Sequence, residues 1–166
     1  MAGAGVTVVK ALAFGVAGGR VVRLAESEGT RGQVQSPLLP GSAGGTVRGV
    51  LRLEGLAVVA LALAAYAQFG AGWGFFAWLV LLPDLSFLAY LAGPRVGAIS
   101  YNAAHSYVGA LALLAWGVLG AMPVLLALGL VWCVHIGVDR ALGYGLKYAS
   151  GFGATHLGRL GRADPW

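Results

Sequence analysis

Residues 132–148, WCVHIGVDRALGYGLKY, begin as an apolar helix fit for a membrane and then place His135 and Asp139 four residues apart. On a helix that spacing puts an imidazole and a carboxylate on one face. An ionisable pair inside an apolar span is costly, so it marks a functional site by default. Two more groups of this kind stand in other apolar runs: His105, and Asp84 directly after Pro83. Two imidazoles and two carboxylates suit a divalent ion of hard to borderline character, Zn²⁺ or else Fe²⁺ or Mn²⁺. Asp84, His105, His135 and Asp139 are therefore the candidate metal ligands and the candidate catalytic residues. Three protein ligands plus a water would make a hydrolytic centre, because the ion brings the pKa of bound water to about 7.

The same set supports other chemistry. Asp84 as general acid with a His–Asp pair as base would suit isomerisation or cyclisation of an isoprenoid-like substrate without a metal. Intramembrane Asp and His groups also serve as proton or ion relays in transporters. A transport path would need polar lining through both halves of the bundle, which this chain could gain only as a homo-oligomer. The blandest alternative is a structural membrane protein, with each histidine satisfied by Asn102, Tyr107 or a backbone carbonyl. Serine hydrolysis through Ser86, Ser100 or Ser106 lacks a nucleophile-elbow context. The glycines of GYGLKY and SGFG form neither a dinucleotide nor a P-loop fingerprint.

The elements that must position these groups follow from composition. The 166 residues are 58% hydrophobic and only 10% charged, against about 25% charged in a soluble domain. The 28 glycines suit close helix approach in a bilayer. Four apolar runs, 50–69, 73–92, 96–119 and 123–142, are each long enough to cross a hydrocarbon core of about 30 Å. Their links, Gly70-Ala71-Gly72, Gly93-Pro94-Arg95 and Gly120-Ala121-Met122, are short. Short links between long spans make an up-down-up-down bundle. The fold class expected is all-α, an integral membrane four-helix bundle over residues 47–145. Residues 146–166 then form a basic, aromatic tail.

Charge sets the orientation. Arg48, Arg52, Arg95, Arg140, Lys147, Arg159 and Arg162 all fall at one end, and the opposite turns carry no charge. The positive-inside rule places both termini in the cytoplasm, for a multi-pass protein of the cell's inner (plasma) membrane. Tyr90, Tyr101, Tyr144 and Tyr148 at that end, with Trp73 and Trp116 at the other, read as interfacial belts. The net charge of +5 is spread over helix ends rather than gathered in a stripe, which excludes nucleic acid as a partner. Cys133 is the only cysteine and reads as a small packing residue.

Helical rise converts position into depth. Asp84 falls about 12 Å, His105 about 13 Å and His135 about 10 Å from the charged end, with Asp139 one turn shallower. Polar groups from different helices thus meet in the cytoplasmic half. Pro83 kinks the second span beside Asp84 and leaves a carbonyl free there. Glu54, Asn102, Arg140, Tyr144 and Lys147 line the mouth of this region as candidate substrate contacts. Glu54 and Arg52 could equally be helix ends reaching water, and Asp139-Arg140 an interfacial charge pair. The substrate expected is lipid-like or amphiphilic, entering from the membrane. The tail reads as an anchor on anionic headgroups, or as a lid with Lys147 or His156 on an acidic headgroup.

Residues 1–46 are read as a flexible or interfacial extension. Their longest uncharged apolar run, 11–19, is too short to span, and 26–45 is rich in turn formers. A start codon assigned too far upstream would give the same pattern, and N-terminal sequencing that finds Met1 or Ala2 intact would exclude it.

RLEG (52–55), PDLSFLAYLAGPRVGA (83–98), YNAAHSY (101–107), HIGVDRALGYGLKY (135–148) and FGATHLG (152–158) together resemble a family of small bacterial integral membrane proteins known only as a domain of unknown function. The resemblance covers roughly residues 50–160. It implies a four-helix membrane protein and carries no catalytic assignment.

Overall fold

The computed structural model describes residues 42–160 and, as backbone, the strands β1 (Phe14–Ala17) and β2 (Arg20–Arg23). These two strands pair antiparallel, with Phe14 opposite Arg23. The rest of the N-terminal extension up to position 41 lies outside the described residues.

From Gly45 the chain is helical: α1 (Gly45–Phe69), α2 (Trp73–Leu79), a 3₁₀ segment (Leu82–Ala92), α3 (Pro94–Ala104), α4 (Tyr107–Leu119) and α5 (Pro123–Leu142). They group into four spans long and apolar enough to cross a membrane. This is the all-α four-helix membrane bundle that the apolar runs imply. Large apolar side chains cover its outside: Trp78 is 86%, Leu119 87% and Leu91 89% exposed. Such a surface would drive aggregation in water, and it is the surface that lipid requires.

The core is α5. Leu130, Val131, Cys133, Val134 and Ile136 are buried on it, packed with Ala62 and Tyr66 of α1 and Ala110 of α4. Lipid tails are as apolar as leucine, so cohesion here comes from tight packing rather than from escape from water. Gly55 and Gly137 show how tight it is. A Cβ on Gly55 would lie 2.6 Å from Arg140 Cβ and 2.8 Å from Gly137 O, and one on Gly137 would lie 2.9 Å from Gly55 O. Only glycine lets α1 and α5 approach so closely.

Two spans are broken. α2 stops at Leu79, four residues before Pro83, where the proline ring would meet the helix carbonyl and its missing N–H removes a bond. The expected kink is in fact a change of helix type, since the chain continues as 3₁₀ to Ala92. With three residues per turn, positions i and i+3 eclipse, so Asp84, Phe87 and Tyr90 fall in one row. The third span, expected as one helix, breaks at His105–Ser106, with Ser106 extended at φ −97°, ψ 146°. The break frees carbonyls at membrane depth, which is tolerated only where protein groups satisfy them. Trp132 Nε1 donates to Ala104 O at 2.5 Å, and Arg140 Nη2 donates to His105 O at 2.6 Å.

α5 ends in a Schellman turn. Gly143 adopts φ +98°, Gly143 N–H donates to Arg140 O, and Tyr144 N–H donates to Asp139 O at 2.7 Å. The tail then folds back on the bundle through β3 (Ala154–Thr155) and β4 (Gly158–Arg159). Thr155 and Leu157 are fully buried, and Ala43 N–H donates to His156 O.

Candidate functional site

His105 is the hub. It caps α3, and its Nδ1 lies 2.9 Å from the carbonyl of Tyr101, one turn back on the same helix. A carbonyl can only accept, so Nδ1 carries the hydrogen and the Nε2 lone pair points away from the helix. Three side chains meet that Nε2. His135 Nε2 is 3.1 Å away, Asp84 Oδ1 3.5 Å and Asp139 Oδ2 3.6 Å. Asp84 Oδ1 is also 3.6 Å from His135 Nε2. Asp84, His105 and His135 thus form a mutually close donor set drawn from the second, third and fourth spans.

Each arrives through a local feature already described. The 3₁₀ stretch after Pro83 brings in Asp84, and the break at Ser106, with its carbonyl held by Arg140, fixes His105. His135 comes from the rigid centre of α5. His105 and His135 are buried, while the Asp84 side chain keeps 41% exposure and forms the open side.

The three donors are close enough together that they could hold a metal ion. Bonds of about 2.0–2.1 Å at tetrahedral angles put donor atoms about 3.3 Å apart. The observed separations are 3.1, 3.5 and 3.6 Å. A ligating histidine ordinarily gives its other N–H to a carbonyl or carboxylate, as His105 does to Tyr101. Asp139 stands apart from these three. It approaches His105 only, and it accepts a 3.1 Å hydrogen bond from the Tyr101 hydroxyl.

Tyr101 departs from the expected interfacial belt. It is 2% exposed and stacks on the His105 ring, centroids 3.8 Å apart at 13°. The signal was present: Tyr101 and His105 share the i, i+4 spacing of His135 and Asp139. Phe87 packs beside both rings from the 3₁₀ row.

The candidate substrate contacts separate into two groups. The Asn102 amide grips the tail backbone, donating to Lys147 O at 2.9 Å and accepting from Lys147 N–H at 2.7 Å. The Lys147 ammonium donates to Phe152 O and sits 3.6 Å from the Phe152 ring centroid and 4.8 Å from that of Tyr101. Burial pushes its pKa below the ordinary lysine value, while the Asp139 charge pulls the other way. Arg140 is buried, with Nη1 on Tyr144 O at 2.6 Å and Nη2 on His105 O. Tyr144 enters through that carbonyl, and its side chain is 43% exposed. Glu54 is exposed on α1 and borders a separate pocket with Arg140. His156 accepts the Leu146 N–H at Nδ1, and burial followed by the nearby Arg140 charge holds its pKa below the ordinary value.

The sequence model of a family described as a domain of unknown function (DUF4260) matches residues 48–160. No curated protein and no solved structure matches the chain.

Proposed function

The chain belongs to the DUF4260 family, and on the geometry of Asp84, His105 and His135 we propose that it is a small integral membrane enzyme that hydrolyses a lipid-like substrate with one divalent ion. The observation that carries this reading is the spacing of those three donors, 3.1–3.6 Å pairwise on three different spans. An ion held there would supply an activated water and polarise a carbonyl or phosphoryl oxygen. Asp139, in contact with His105 and Tyr101, is the base positioned to take a proton. Asp84, on the open side, faces the incoming substrate.

An apolar cavity of about 260 Å³ supports the lipid-like substrate. Pro83, Leu113, Leu128 and Trp132 are among its walls. Pro83 adjoins Asp84, and Trp132 lies one turn along α5 from His135, so a hydrocarbon chain can follow the span while its polar group meets the donors. The gathering of basic residues at one end supports a site that opens to the cytoplasmic side of the inner membrane, as the positive-inside rule would have it.

A second reading rests on the contact chain Tyr101–Asp139–His105–His135–Asp84. Without an ion, it suits general acid–base isomerisation or cyclisation. Purified protein in nanodiscs, given a long-chain acyl ester and a long-chain phosphate ester with and without Zn²⁺, separates the two. Product release that needs the ion and is lost in Asp84→Asn supports hydrolysis. Release that persists in chelator refutes the metal role, and no release from either ester refutes hydrolysis of these classes.

A further inference from the structure

A second pocket of about 220 Å³ lies between α1, α4 and α5, its walls partly apolar (Leu51, Val58) and carrying Glu54, Tyr107, Arg140 and His156. Arg140 is 8% exposed and gives two hydrogen bonds to backbone carbonyls. Among the described residues no carboxylate lies within 4.0 Å of its guanidinium, so this buried cation has no directly paired counter-ion and feels the Asp139 charge only from farther away. A buried charge of this kind is costly unless paired. The Tyr107 hydroxyl is buried with no hydrogen-bond partner among the described residues. His156 Nδ1 accepts the Leu146 N–H, so in the neutral ring the remaining N–H is at Nε2. On the same pocket Glu54 offers the opposite charge, too far from Arg140 to pair with it.

We propose that this pocket binds a zwitterionic phosphoethanolamine group, its phosphate on Arg140 and the Tyr107 hydroxyl and its ammonium on Glu54. The separation of the two charges across one pocket selects a ligand that carries both. Glu54 disfavours a plain anion, and Arg140 disfavours a plain amine. Phosphatidylethanolamine and the soluble phosphate monoester of ethanolamine share this chemistry. The site is distinct from the three-donor set, with Arg140 standing between them through its bond to His105 O.

Native mass spectrometry of the full chain in detergent tests this with phosphatidylethanolamine, phosphatidylglycerol, O-phosphoethanolamine and inorganic phosphate as probes. One equivalent of a phosphoethanolamine probe is expected to bind in preference to phosphatidylglycerol and inorganic phosphate. Glu54→Gln and Tyr107→Phe should each weaken it roughly tenfold, the loss of one hydrogen bond to a charged group. Circular dichroism and gel filtration establish that both variants keep the fold. Capture of the lipid but not the soluble ester identifies a headgroup site, and the reverse a metabolite site. Phosphate or phosphatidylglycerol binding as tightly as the zwitterions, affinity unchanged in Glu54→Gln, or no probe bound at all would each overturn the proposal.

Discussion

The Nε2 atoms of His105 and His135 face each other across 3.1 Å, on helices whose positions differ by 30 residues in the chain. Because Nδ1 of His105 is committed to the Tyr101 carbonyl, the His105 atom at this contact is a lone pair. It needs either a hydrogen from His135 or a cation between the rings. The Asp84 carboxylate lies within 3.6 Å of both nitrogens, where it would be the third ligand of the proposed ion.

Arg140 should prove a positioning residue for His105. Arg140→Ala leaves the carbonyls of His105 and Tyr144 without their donor, at a cost of about 1–3 kcal/mol for each buried group. Zinc affinity is expected to fall about 10–100-fold, the usual effect of removing a supporting partner, with helix content unchanged by circular dichroism. Arg140→Lys presents a single ammonium to two carbonyls and should recover less than half of the lost affinity in free-energy terms. Zinc titration by competition with a chromophoric chelator measures both.

Gly137→Leu should destabilise the bundle. The Cβ alone would lie 2.8 Å from Val59 Cγ2 and 2.9 Å from Gly55 O, and overpacking of this kind costs typically about 1–3 kcal/mol. Unfolding titrated with dodecyl sulfate in mixed micelles reads the shift. A leucine tolerated there without loss would mean that α1 and α5 do not approach as closely as Gly55 and Gly137 place them.

Asn102→Ala should release the tail. The two bonds to the Lys147 backbone are lost together, and amide exchange at Lys147, Tyr148 and Thr155 should accelerate while α5 amides stay protected. Equal protection in the variant would show that the buried Thr155 and Leu157 hold the tail unaided.

The tail should also loosen in acid through His156. Its pKa is lower folded than unfolded, so the unfolded tail binds more protons and stability rises with pH up to the ordinary histidine value, about 6.5. Below that, protonation removes the Nδ1 lone pair that accepts the Leu146 N–H and sets a second positive charge near Arg140, with Glu54 and the Tyr107 hydroxyl on the same pocket. The protection of the Leu146 amide, its exchange rate normalised to the unfolded rate at each pH, should fall as pH is lowered from 7.5 to 5, and His156→Gln should flatten that profile.

What was legible in the sequence was depth. Helical rise converts residue spacing into distance from the charged end, and by that measure Asp84, His105 and His135 share one depth. The apolar run lengths likewise made four spans readable. The breaks in the second and third spans were harder, because hydropathy counts residues and not hydrogen bonds. Pro83 pointed to a disturbance but not to eleven residues of 3₁₀ helix. The break at Ser106 persists because Trp132 and Arg140 reach it from α5, a tertiary compensation that no local pattern encodes. Tyr101 fits an interfacial tyrosine by residue type, although its spacing to His105 is that of a helix-face pair.

The metal role is tested most directly by elemental analysis of the purified full chain beside Asp84→Asn, His105→Ala and His135→Ala, after equilibration with zinc and removal of the excess. The expected result is about one divalent ion per wild-type chain and a small fraction of that in each variant, with all four proteins equally helical. A wild-type protein that holds no more ion than its His135→Ala variant would contradict the metal centre and leave the Asp–His set to acid–base chemistry.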